Sequence, residues 1–434
     1  METKEKIREL VKQYYTENFS KKSFVPNESR VPISGMFYDE KEILSLIDAS
    51  LEFWITSGHF TEEFEKEFSK FMNVLYALFV NSGSSANLLA LSCLTSSSLG
   101  EKRLKRGDEV ITLACGFPTT VNPIVQNGLI PVFVDVTLPT YNINCEQLES
   151  ALSSKTKAVM IAHTLGNPFN LDVVTRFCKE NNLWLIEDCC DAYGSKYNGE
   201  MVGTFGDLAT TSFFPAHLSS CGEGGCVLTN DPKLRKLVET FRDWGRGGCW
   251  CLPGHDNTCK KRYDWQLGNL PYGYDHKYIY EEIGYNLKST ELQASIMLEQ
   301  VKKLPFFIEK RKENFKYLYD GFKDLSNYFI LPEATEKSDP VWFGFPLTIR
   351  PESKINRRDL ILDMDSHKVE SRLIFAGNII RQPAYQNVEY RTIGNLVNSD
   401  LVMNNSFWIG TFPGLTKEML DFEIETIHNF FKDK

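Results

Sequence analysis

The segment SFFPAHLSSCGEGG at residues 212–225 has the residue types of a ligand-binding turn. An apolar run leads into small polar residues and then glycines, and such a turn can aim one side chain at a ligand. The segment contains one histidine, His217, and no lysine. Because an unperturbed imidazole has a pKa of about 6.5, it suits a general base at neutral pH. We therefore expect His217 to move protons, while Ser212 is either a ligand contact or a turn residue.

A second segment, NSGSSANLLALSCL at residues 81–94, has the composition of an anion site. It places Gly83, Ser84 and Ser85 directly before an apolar helical run. Free backbone N–H groups at a helix start, with hydroxyls beside them, bind phosphate and other anions. The same residues are also typical of a simple helix cap. The residues by themselves leave both interpretations open.

Two further segments carry groups that suit an aromatic heterocycle. LIEDCCDAYG at 185–194 has acids where an apolar strand ends, and Asp188 there can keep a proton on a ring nitrogen. The alternative is a capping or ion-paired aspartate. CGFPTTVNP at 115–123 offers Phe117 as an aromatic face. A phenylalanine is far more often a core residue than a platform for a cofactor, so spacing does not decide its role.

The chain has eleven cysteines, an odd number, and in a reducing compartment we expect no disulfide framework. Cys249, Cys251 and Cys259 are grouped in GRGGCWCLPGHDNTCKKR at 245–262. Proline and glycine between them suit a loop around a metal centre, and the spacing is not the C-x₂-C of structural zinc. Incidental loop cysteines are the alternative interpretation.

The elements that must position these segments form an alternating pattern. Valine- and isoleucine-rich runs are separated by helical patterns such as 172–182. The alternation predicts βαβ units and a mainly parallel sheet covered on both faces. Ligands of such sheets bind outside the carboxyl ends of the strands. The strand candidates are 108–114, 130–136, 158–164, 183–189 and 224–230.

Composition narrows the class of protein. A hydrophobic content of 42% supports a sizeable core, and a net charge of −9 argues against a nucleic-acid-binding surface. The amino-terminal segment is charged and amphipathic, without the apolar region of a secretory signal. No apolar stretch reaches the roughly 18 residues of a membrane span. We therefore expect a soluble, cytoplasmic protein that does not bind membranes.

Five motifs occur in an order that resembles the DegT/DnrJ/EryC1/StrS family of sugar aminotransferases. They are SGSSAN, GFPTTVNP, IEDCCDA, SFFPAH with GEGG, and GYNLKSTELQA. The resemblance implies the fold of type I enzymes that depend on pyridoxal phosphate (PLP), which is aspartate aminotransferase-like. We expect a large, mainly parallel sheet domain and a smaller C-terminal α+β domain. The predicted units are a helical arm at 1–35, a cofactor-binding domain at 36–300 that includes the cysteine loop, and a small domain at 301–434.

The resemblance also implies roles for individual residues. Phe117 would stack on the cofactor ring, Asp188 would pair with the pyridine nitrogen, and Asp191 would lie near the ring hydroxyl. Asn286, in GYNLKST, would reach the cofactor phosphate of the neighbouring subunit, which implies a homodimer with shared active sites. The residues that would hold the phosphate within one subunit are Gly83, Ser84, Ser85 and Ser212.

His217 departs from most of the family, in which a lysine at this place forms an imine with the cofactor aldehyde. An imidazole cannot form that stable bond. The departure implies a noncovalently held cofactor, pyridoxamine phosphate (PMP), with His217 as the base that takes a proton from the C4′ carbon. The PMP amine would condense with the C4 ketone of a sugar, and the C3 hydroxyl would leave.

With histidine at this place, the chain resembles the iron–sulfur branch of the nucleotide-sugar 3-dehydrases. The motifs that fit this branch are PAH, GEGG, CWC, DNTCKKR and GYDHKY. The branch implies a CDP-linked 4-keto-6-deoxyhexose as substrate, with a TDP-linked sugar as the alternative, and a place in 3,6-dideoxysugar biosynthesis for lipopolysaccharide O-antigen. It also implies a [2Fe–2S] cluster and an NADH-dependent flavin/iron–sulfur reductase as electron donor. The competing functions are a PLP-dependent nucleotide-sugar aminotransferase that uses another lysine and a cluster-free 3-dehydratase.

A [2Fe–2S] cluster needs four thiolates, and the cysteine loop supplies three. Cys190, two residues beyond Asp188, is the best candidate for the fourth, and the adjacent Cys189 competes with it. His255 ranks below Cys190 as a ligand. Three other polar residues have weaker or alternative roles: His163 is either near the substrate or structural, and Asn378 and Arg381 are candidates for the substrate phosphates.

Overall fold

The fold is given by a computed structural model that describes residues 2–19, 23–247 and 259–432. The helices of this part of the chain are α1 (Thr3–Asn18), α2 (Glu40–Glu52), α3 (His59–Met72), α4 (Gly83–Cys93), α5 (Pro118–Gln126), α6 (Leu148–Ala151), α7 (Leu171–Glu180), α8 (Pro232–Arg242), α9 (Glu291–Phe322), α10 (Arg357–Ser366), α11 (Val397–Asn405) and α12 (Lys417–Lys432).

The strands of the same part begin and end within a residue or two of the sequence prediction where one was made. They are β1 (Tyr76–Val80), β2 (Glu109–Leu113), β3 (Ile130–Val134), β4 (Thr156–Ala162), β5 (Trp184–Asp188), β6 (Lys196–Tyr197), β7 (Glu200–Met201), β8 (Leu208–Ser212), β9 (Gly225–Thr229), β10 (Phe329–Ile330), β11 (Ser338–Asp339), β12 (Gly344–Ile349), β13 (Arg391–Thr392) and β14 (Ser406–Gly410).

The main sheet has eight strands in the order β1-β9-β8-β5-β4-β2-β3-β13. Strands β8, β5, β4, β2, β3 and β13 pair in parallel, whereas β9 is antiparallel to both β8 and β1. Every residue of β2, β8 and β9 is buried. Burial on both faces explains why these strands do not alternate between apolar and charged residues as a half-exposed strand would. The expected class, a large and mainly parallel α/β sheet, is confirmed.

The parallel strands bring several loops to one edge of the main sheet. The carboxyl ends of β1, β2, β4, β5 and β8 all lie at this edge, and each is followed by one of the polar segments that the sequence singled out. At the end of β1, the Ser82 hydroxyl caps α4 by accepting from the N–H of Ser85 at 3.1 Å. The chain thus turns from strand into helix within two residues, which leaves the first turn of α4 facing the edge.

The region after residue 300 has its own sheet and core. Strands β10, β12 and β14 form an antiparallel sheet, and a separate hydrophobic cluster includes Leu318, Phe345 and Phe407. Helix α9 runs through the predicted boundary at 300 without a break, and β13 joins the main sheet beside β3. The division into 1–35, 36–300 and 301–434 stays a prediction.

Helix α1 lies on the outside, with none of its residues buried. This agrees with the exposed amphipathic helix expected at the amino end. Within the ranges described above, no helix combines the length and apolar character that crossing a membrane requires.

Helices α3 and α9 are joined by one buried carboxylate, Glu291, whose side chain is 1% exposed. Its oxygens accept hydrogen bonds from the backbone N–H groups of Gly58, Phe60 and Thr61, at 2.8–2.9 Å. These donors lie at the start of α3, where helix geometry provides no intrahelical acceptors. The negative charge also faces the positive end of the helix dipole.

Replacing Glu291 with alanine should therefore lower the free energy of unfolding by on the order of 3 kcal/mol, because buried donors lose their acceptor. The measurement is the urea midpoint of the purified protein. Glu313→Ala is the matched control on the same helix, since the Glu313 side chain is 57% exposed and pairs with Lys310 at 3.0 Å. Equal midpoints for the two variants would contradict the capping role.

Candidate functional site

A cavity of about 570 Å³ opens at the carboxyl edge of the main sheet. Its inner wall is built from the loops that follow β1, β2, β4, β5 and β8. Its outer wall comes from the C-terminal region, which contributes Phe343, Arg372, Leu373, Phe375 and Trp408. The cavity thus lies between the edge of the main sheet and the C-terminal region, at the place where sheets of this kind bind ligands.

The first turn of α4 forms one end of the cavity, which Ser82, Gly83 and Ser84 line. Helix geometry gives the N–H groups of Gly83 and Ser84 no intrahelical acceptor, so they are available to an anion. Gly83 packs tightly against β8: a Cβ there would lie 2.4 Å from Cβ of Ser212. Ser212 therefore reaches the same end of the cavity, as predicted for a phosphate site.

Ser85 does not lie on this wall. Its N–H and its hydroxyl both bond to the Ser82 hydroxyl, at 3.1 and 3.0 Å. The structure shows the cap, which Ser82 and Ser85 form, and it also places Gly83 and Ser84 on the cavity wall. The two interpretations are therefore compatible, and the anion site stays a prediction.

Asp188 ends β5 with its carboxylate on the cavity wall, and the residue is 5% exposed. Oδ2 accepts from Nδ2 of Asn87 at 2.8 Å and from Oγ1 of Thr120 at 2.6 Å, while Oδ1 accepts from the N–H of Cys190 at 3.1 Å. These neighbours are neutral donors. They fix the carboxylate and stabilise its charge without cancelling it, so that it can still attract a cationic or protonated group of a ligand.

His217 also lines the cavity, with Nδ1 3.5 Å from Oδ1 of Asp191 and no hydrogen-bond partner at that nitrogen. Burial lowers the pKa of His217 to about 4; the Arg311 cation acts in the same direction and Asp188 opposes it. Burial, followed by the charge of Asp188, raises the pKa of Asp191 to about 8. At neutral pH the imidazole is therefore uncharged and able to accept a proton, whereas the carboxyl group of Asp191 retains its proton.

Phe117 is 52% exposed and faces the cavity, so its ring is open to a planar ligand rather than part of the core. It sits at the amino end of α5 and meets Phe375 edge to face, with ring centroids 6.1 Å apart. Phe375 comes from the outer wall. The two rings thus join the inner and outer walls of the cavity.

Of the four predicted cluster ligands, Cys190 lies on the cavity wall and packs against Gly83. A Cβ added to Gly83 would lie 3.2 Å from the Cys190 Sγ. Burial and the charge of Asp188 raise the pKa of the Cys190 thiol. Cys259 lies in a different environment, with Sγ 3.6 Å from Nε2 of His276. Cys249 and Cys251 lie outside the described residues, as does His255.

Cys189 points away from the cavity, into a buried group with His163 and Glu187. Glu187 bonds to Nε2 of His163 at 3.0 Å and also accepts from backbone N–H groups at 203, 205 and 206. Nδ1 of His163 accepts from the N–H of Phe169 at 3.2 Å. These hydrogen bonds favour the structural interpretation of His163. Of the two adjacent cysteines, Cys190 lines the cavity and Cys189 does not.

Three other predicted contacts lie elsewhere in this subunit. Asn286 is exposed and accepts from Nζ of Lys288 at 2.7 Å, so its predicted contact with a neighbouring subunit stays a prediction. Asn378 and Arg381 both bond to Asp400, at 2.7 and 2.9 Å, and neither lines the cavity. Arg372 is the arginine that the structure brings to the cavity instead.

Sequence reasoning missed several residues of the site. Asn87 is hidden in the apolar run of α4, but it lies four residues after Gly83 and hence on the same helix face. Thr120 lies in a motif that was singled out only for its phenylalanine. Phe343, Arg372 and Trp408 had no local signal, because their place in the cavity depends on how the C-terminal region packs.

Residues 38–428 match the DegT/DnrJ/EryC1/StrS aminotransferase family. The chain is 55% identical to the lipopolysaccharide biosynthesis protein RfbH of Salmonella typhimurium, over 99% of this chain and 98% of that protein. It is 49% identical to the dTDP-4-dehydro-2,6-dideoxy-D-glucose 3-dehydratase of Saccharopolyspora spinosa, over 99% and 92%.

Among solved structures, the fold is similar to that of E. coli GDP-4-keto-6-deoxy-D-mannose-3-dehydratase with bound hydrated PLP. The TM-score is 0.81 at 30% identity, and the match covers 91% of this chain and 98% of that one. The expected fold, that of type I PLP-dependent enzymes, is confirmed.

Gly83→Ala should lower the free energy of unfolding by about 1–3 kcal/mol, because its Cβ would overlap Ser212 and force β8 away from α4. Gly116→Ala is a matched control in the same cavity, since a Cβ at Gly116 meets no atom within 4 Å. Urea unfolding of the two proteins without cofactor measures the difference. If Gly83→Ala is as stable as Gly116→Ala, the close contact of α4 with β8 is wrong.

Proposed function

We propose that this chain, which belongs to the DegT/DnrJ/EryC1/StrS aminotransferase family, is a PMP-dependent 3-dehydratase that removes the C3 hydroxyl of a nucleotide-linked 4-keto-6-deoxyhexose. The observation that carries the proposal is the position of His217 beside Asp188 and Asp191, in a cavity whose described lining contains no lysine. Relatives that bear 3-dehydratase names support the same reaction class.

The residues of the cavity fit such a cofactor. The free N–H groups of Gly83 and Ser84 suit a phosphate, and the exposed ring of Phe117 suits a flat heterocycle. Asp188 would hold a proton on the ring nitrogen, since its carboxylate is buried among neutral donors. When bound, pyridoxamine phosphate would supply a primary amine for the sugar ketone and a ring that accepts electrons.

His217 would accept the proton from the C4′ carbon of the cofactor. Its imidazole is neutral well below pH 7, so one ring nitrogen carries no proton and is free for this step across the physiological range. Asp191, whose pKa lies at about 8, would keep its proton next to Nδ1 of His217 and so would not draw a proton onto the imidazole as a carboxylate would.

The aminotransferase alternative requires a lysine within reach of the cofactor. Family membership by itself is compatible with both reactions, because the family is named for aminotransferases while relatives are named 3-dehydratase as well as GDP-perosamine synthase. The lining described above favours dehydration, since a neutral imidazole moves protons but forms no stable imine.

The nucleotide of the substrate is proposed from the sequence resemblance, which gives CDP. The relative from Saccharopolyspora spinosa is named for a dTDP-linked sugar and the E. coli relative for a GDP-linked one. Turnover of CDP-, dTDP- and GDP-linked 4-keto-6-deoxyhexoses, compared by kcat/KM, distinguishes the three, and we expect CDP to give the highest value.

We further propose that Cys190, Cys249, Cys251 and Cys259 hold a [2Fe–2S] cluster that accepts electrons from an NADH-dependent flavin/iron–sulfur reductase. The proposal rests on the sequence motifs and on the place of Cys190 against the first turn of α4. When bound, the cluster would supply the electrons that convert the dehydrated sugar into a 3-deoxy sugar. The alternative is a cluster-free 3-dehydratase.

His217→Asn should abolish hydrogen exchange at C4′ of bound pyridoxamine phosphate, by at least about 100-fold, because the base is removed. Cofactor affinity should stay within a few-fold of wild type. Exchange into deuterated water is followed by NMR, and affinity by equilibrium dialysis. His367→Asn, on the exposed end of α10, is the control and should exchange normally. Normal exchange in His217→Asn would overturn the proposed base.

Cys190→Ser and Cys259→Ser should each lower iron and acid-labile sulfide in anaerobically purified protein to below about half of the wild-type content, because a thiolate ligand is lost. Cys145→Ser, at a half-buried cysteine away from the cavity, should leave both contents unchanged. A wild-type protein without iron and sulfide would contradict the cluster and favour the cluster-free 3-dehydratase.

A further inference from the structure

Arg311 is a buried cation in the middle of α9. Its side chain is among the largest that are fully buried, with the residue 2% exposed. In the described part of the chain, no carboxylate forms an ion pair with it. Burial lowers its pKa to about 10, which still leaves it charged at neutral pH. Because an unpaired buried charge is unfavourable, other groups must stabilise it.

Those groups are backbone carbonyls on both sides of the cavity. Nη2 donates to the carbonyl oxygens of Ala216 and His217, at 3.1 and 2.9 Å. Nη1 donates to the carbonyl oxygen of Phe343 at 2.7 Å and reaches Oγ1 of Thr411 at 3.5 Å. The guanidinium is planar and its donors have fixed directions, so these contacts set the relative position of the two segments.

The two segments carry groups that meet in the cavity. The His217 imidazole and the Phe343 ring lie 5.3 Å apart between centroids, and both line the cavity wall. We propose that Arg311 is a positioning residue, which holds the backbone of His217 against Phe343 and thereby fixes the imidazole for proton transfer. This inference rests on the proposed function of His217 as the base.

The charge of Arg311 has a second effect on the imidazole. The ionisable groups that face His217 are Asp188 and Asp191 from the end of β5 and Arg311 from α9. Burial is the main cause of the lowered pKa of His217, and the Arg311 cation adds to it while Asp188 opposes it. Loss of the cation should therefore raise the pKa of His217 and move the acid limb of its activity to higher pH.

Two substitutions distinguish the positioning effect of Arg311 on His217 from the effect of its charge. Arg311→Lys keeps the cation but cannot donate to all three carbonyls in fixed directions, whereas Arg311→Met removes both the charge and the donors. The assay is C4′ hydrogen exchange in the full-length protein loaded with pyridoxamine phosphate, measured from about pH 3.5 to 8 so that it includes the acid limb of wild type. We expect exchange at pH 7.5 to fall at least about 10-fold in both variants, and the acid limb to move upward in Arg311→Met alone.

Arg357→Met is the matched control. Arg357, at the start of α10, also donates to backbone carbonyls, those of Met403 and Ser406 at 2.6 and 3.1 Å, but it does not line the cavity or contact its loops. This variant should exchange like wild type. Circular dichroism and the urea midpoint establish whether each variant folds. If Arg311→Met does not fold, the result for Arg311→Lys decides the test.

The outcomes separate this inference from the function on which it rests. If His217→Asn loses exchange while a folded Arg311→Lys exchanges at the wild-type rate with an unchanged pH profile, the positioning role is overturned and the base survives. If His217→Asn exchanges normally, the proposed function of His217 as the base is overturned, and the positioning role of Arg311 is overturned with it. A slowed Arg311→Lys, with pyridoxamine phosphate affinity within a few-fold of wild type, supports the positioning role.

Discussion

The candidate site depends on a negative charge kept in a buried place. Asp188 is removed from water at the end of β5, which is unfavourable by several kcal/mol unless polar contacts offset it. Asn87, Thr120 and a backbone N–H provide those contacts without a cation. The same charge contributes to the raised pKa values of Asp191 and Cys190 and opposes the lowering at His217. One carboxylate thus influences the protonation of three titratable groups of the cavity wall.

The architecture explains how this charge is held. A parallel sheet brings strand ends to one edge, and buried strands fix the loops that follow them. The second wall comes from the C-terminal region through Phe343 and Trp408, whose side chains pack in the hydrophobic core of the main sheet. Helix α9 contributes to both cores and carries Arg311 at the boundary. The site is therefore a property of the joined regions.

Much of the fold and part of the site were predictable from sequence. The strands, the turn into α4, and the gathering of Gly83, Asp188 and His217 at one edge follow from local patterns. Contacts between distant segments did not follow: Arg311 had no local signal, because its partners at 216, 217 and 343 are brought to it by packing. Asn87 was missed since an amide in an apolar helix resembles a core position. Two of the four predicted cluster cysteines lie outside the described residues, so that part of the prediction rests on sequence.

The absence of a lysine from the described cavity lining has a consequence for how the protein keeps a vitamin-derived cofactor. In the proposed function the cofactor forms no covalent link, so its retention would depend on hydrogen bonds and stacking alone, and a micromolar dissociation constant corresponds to about 8 kcal/mol. The fraction of loaded protein then follows the free cofactor pool by mass action. Dialysis would strip such a protein, and its output in a cell would rise and fall with vitamin B6 supply.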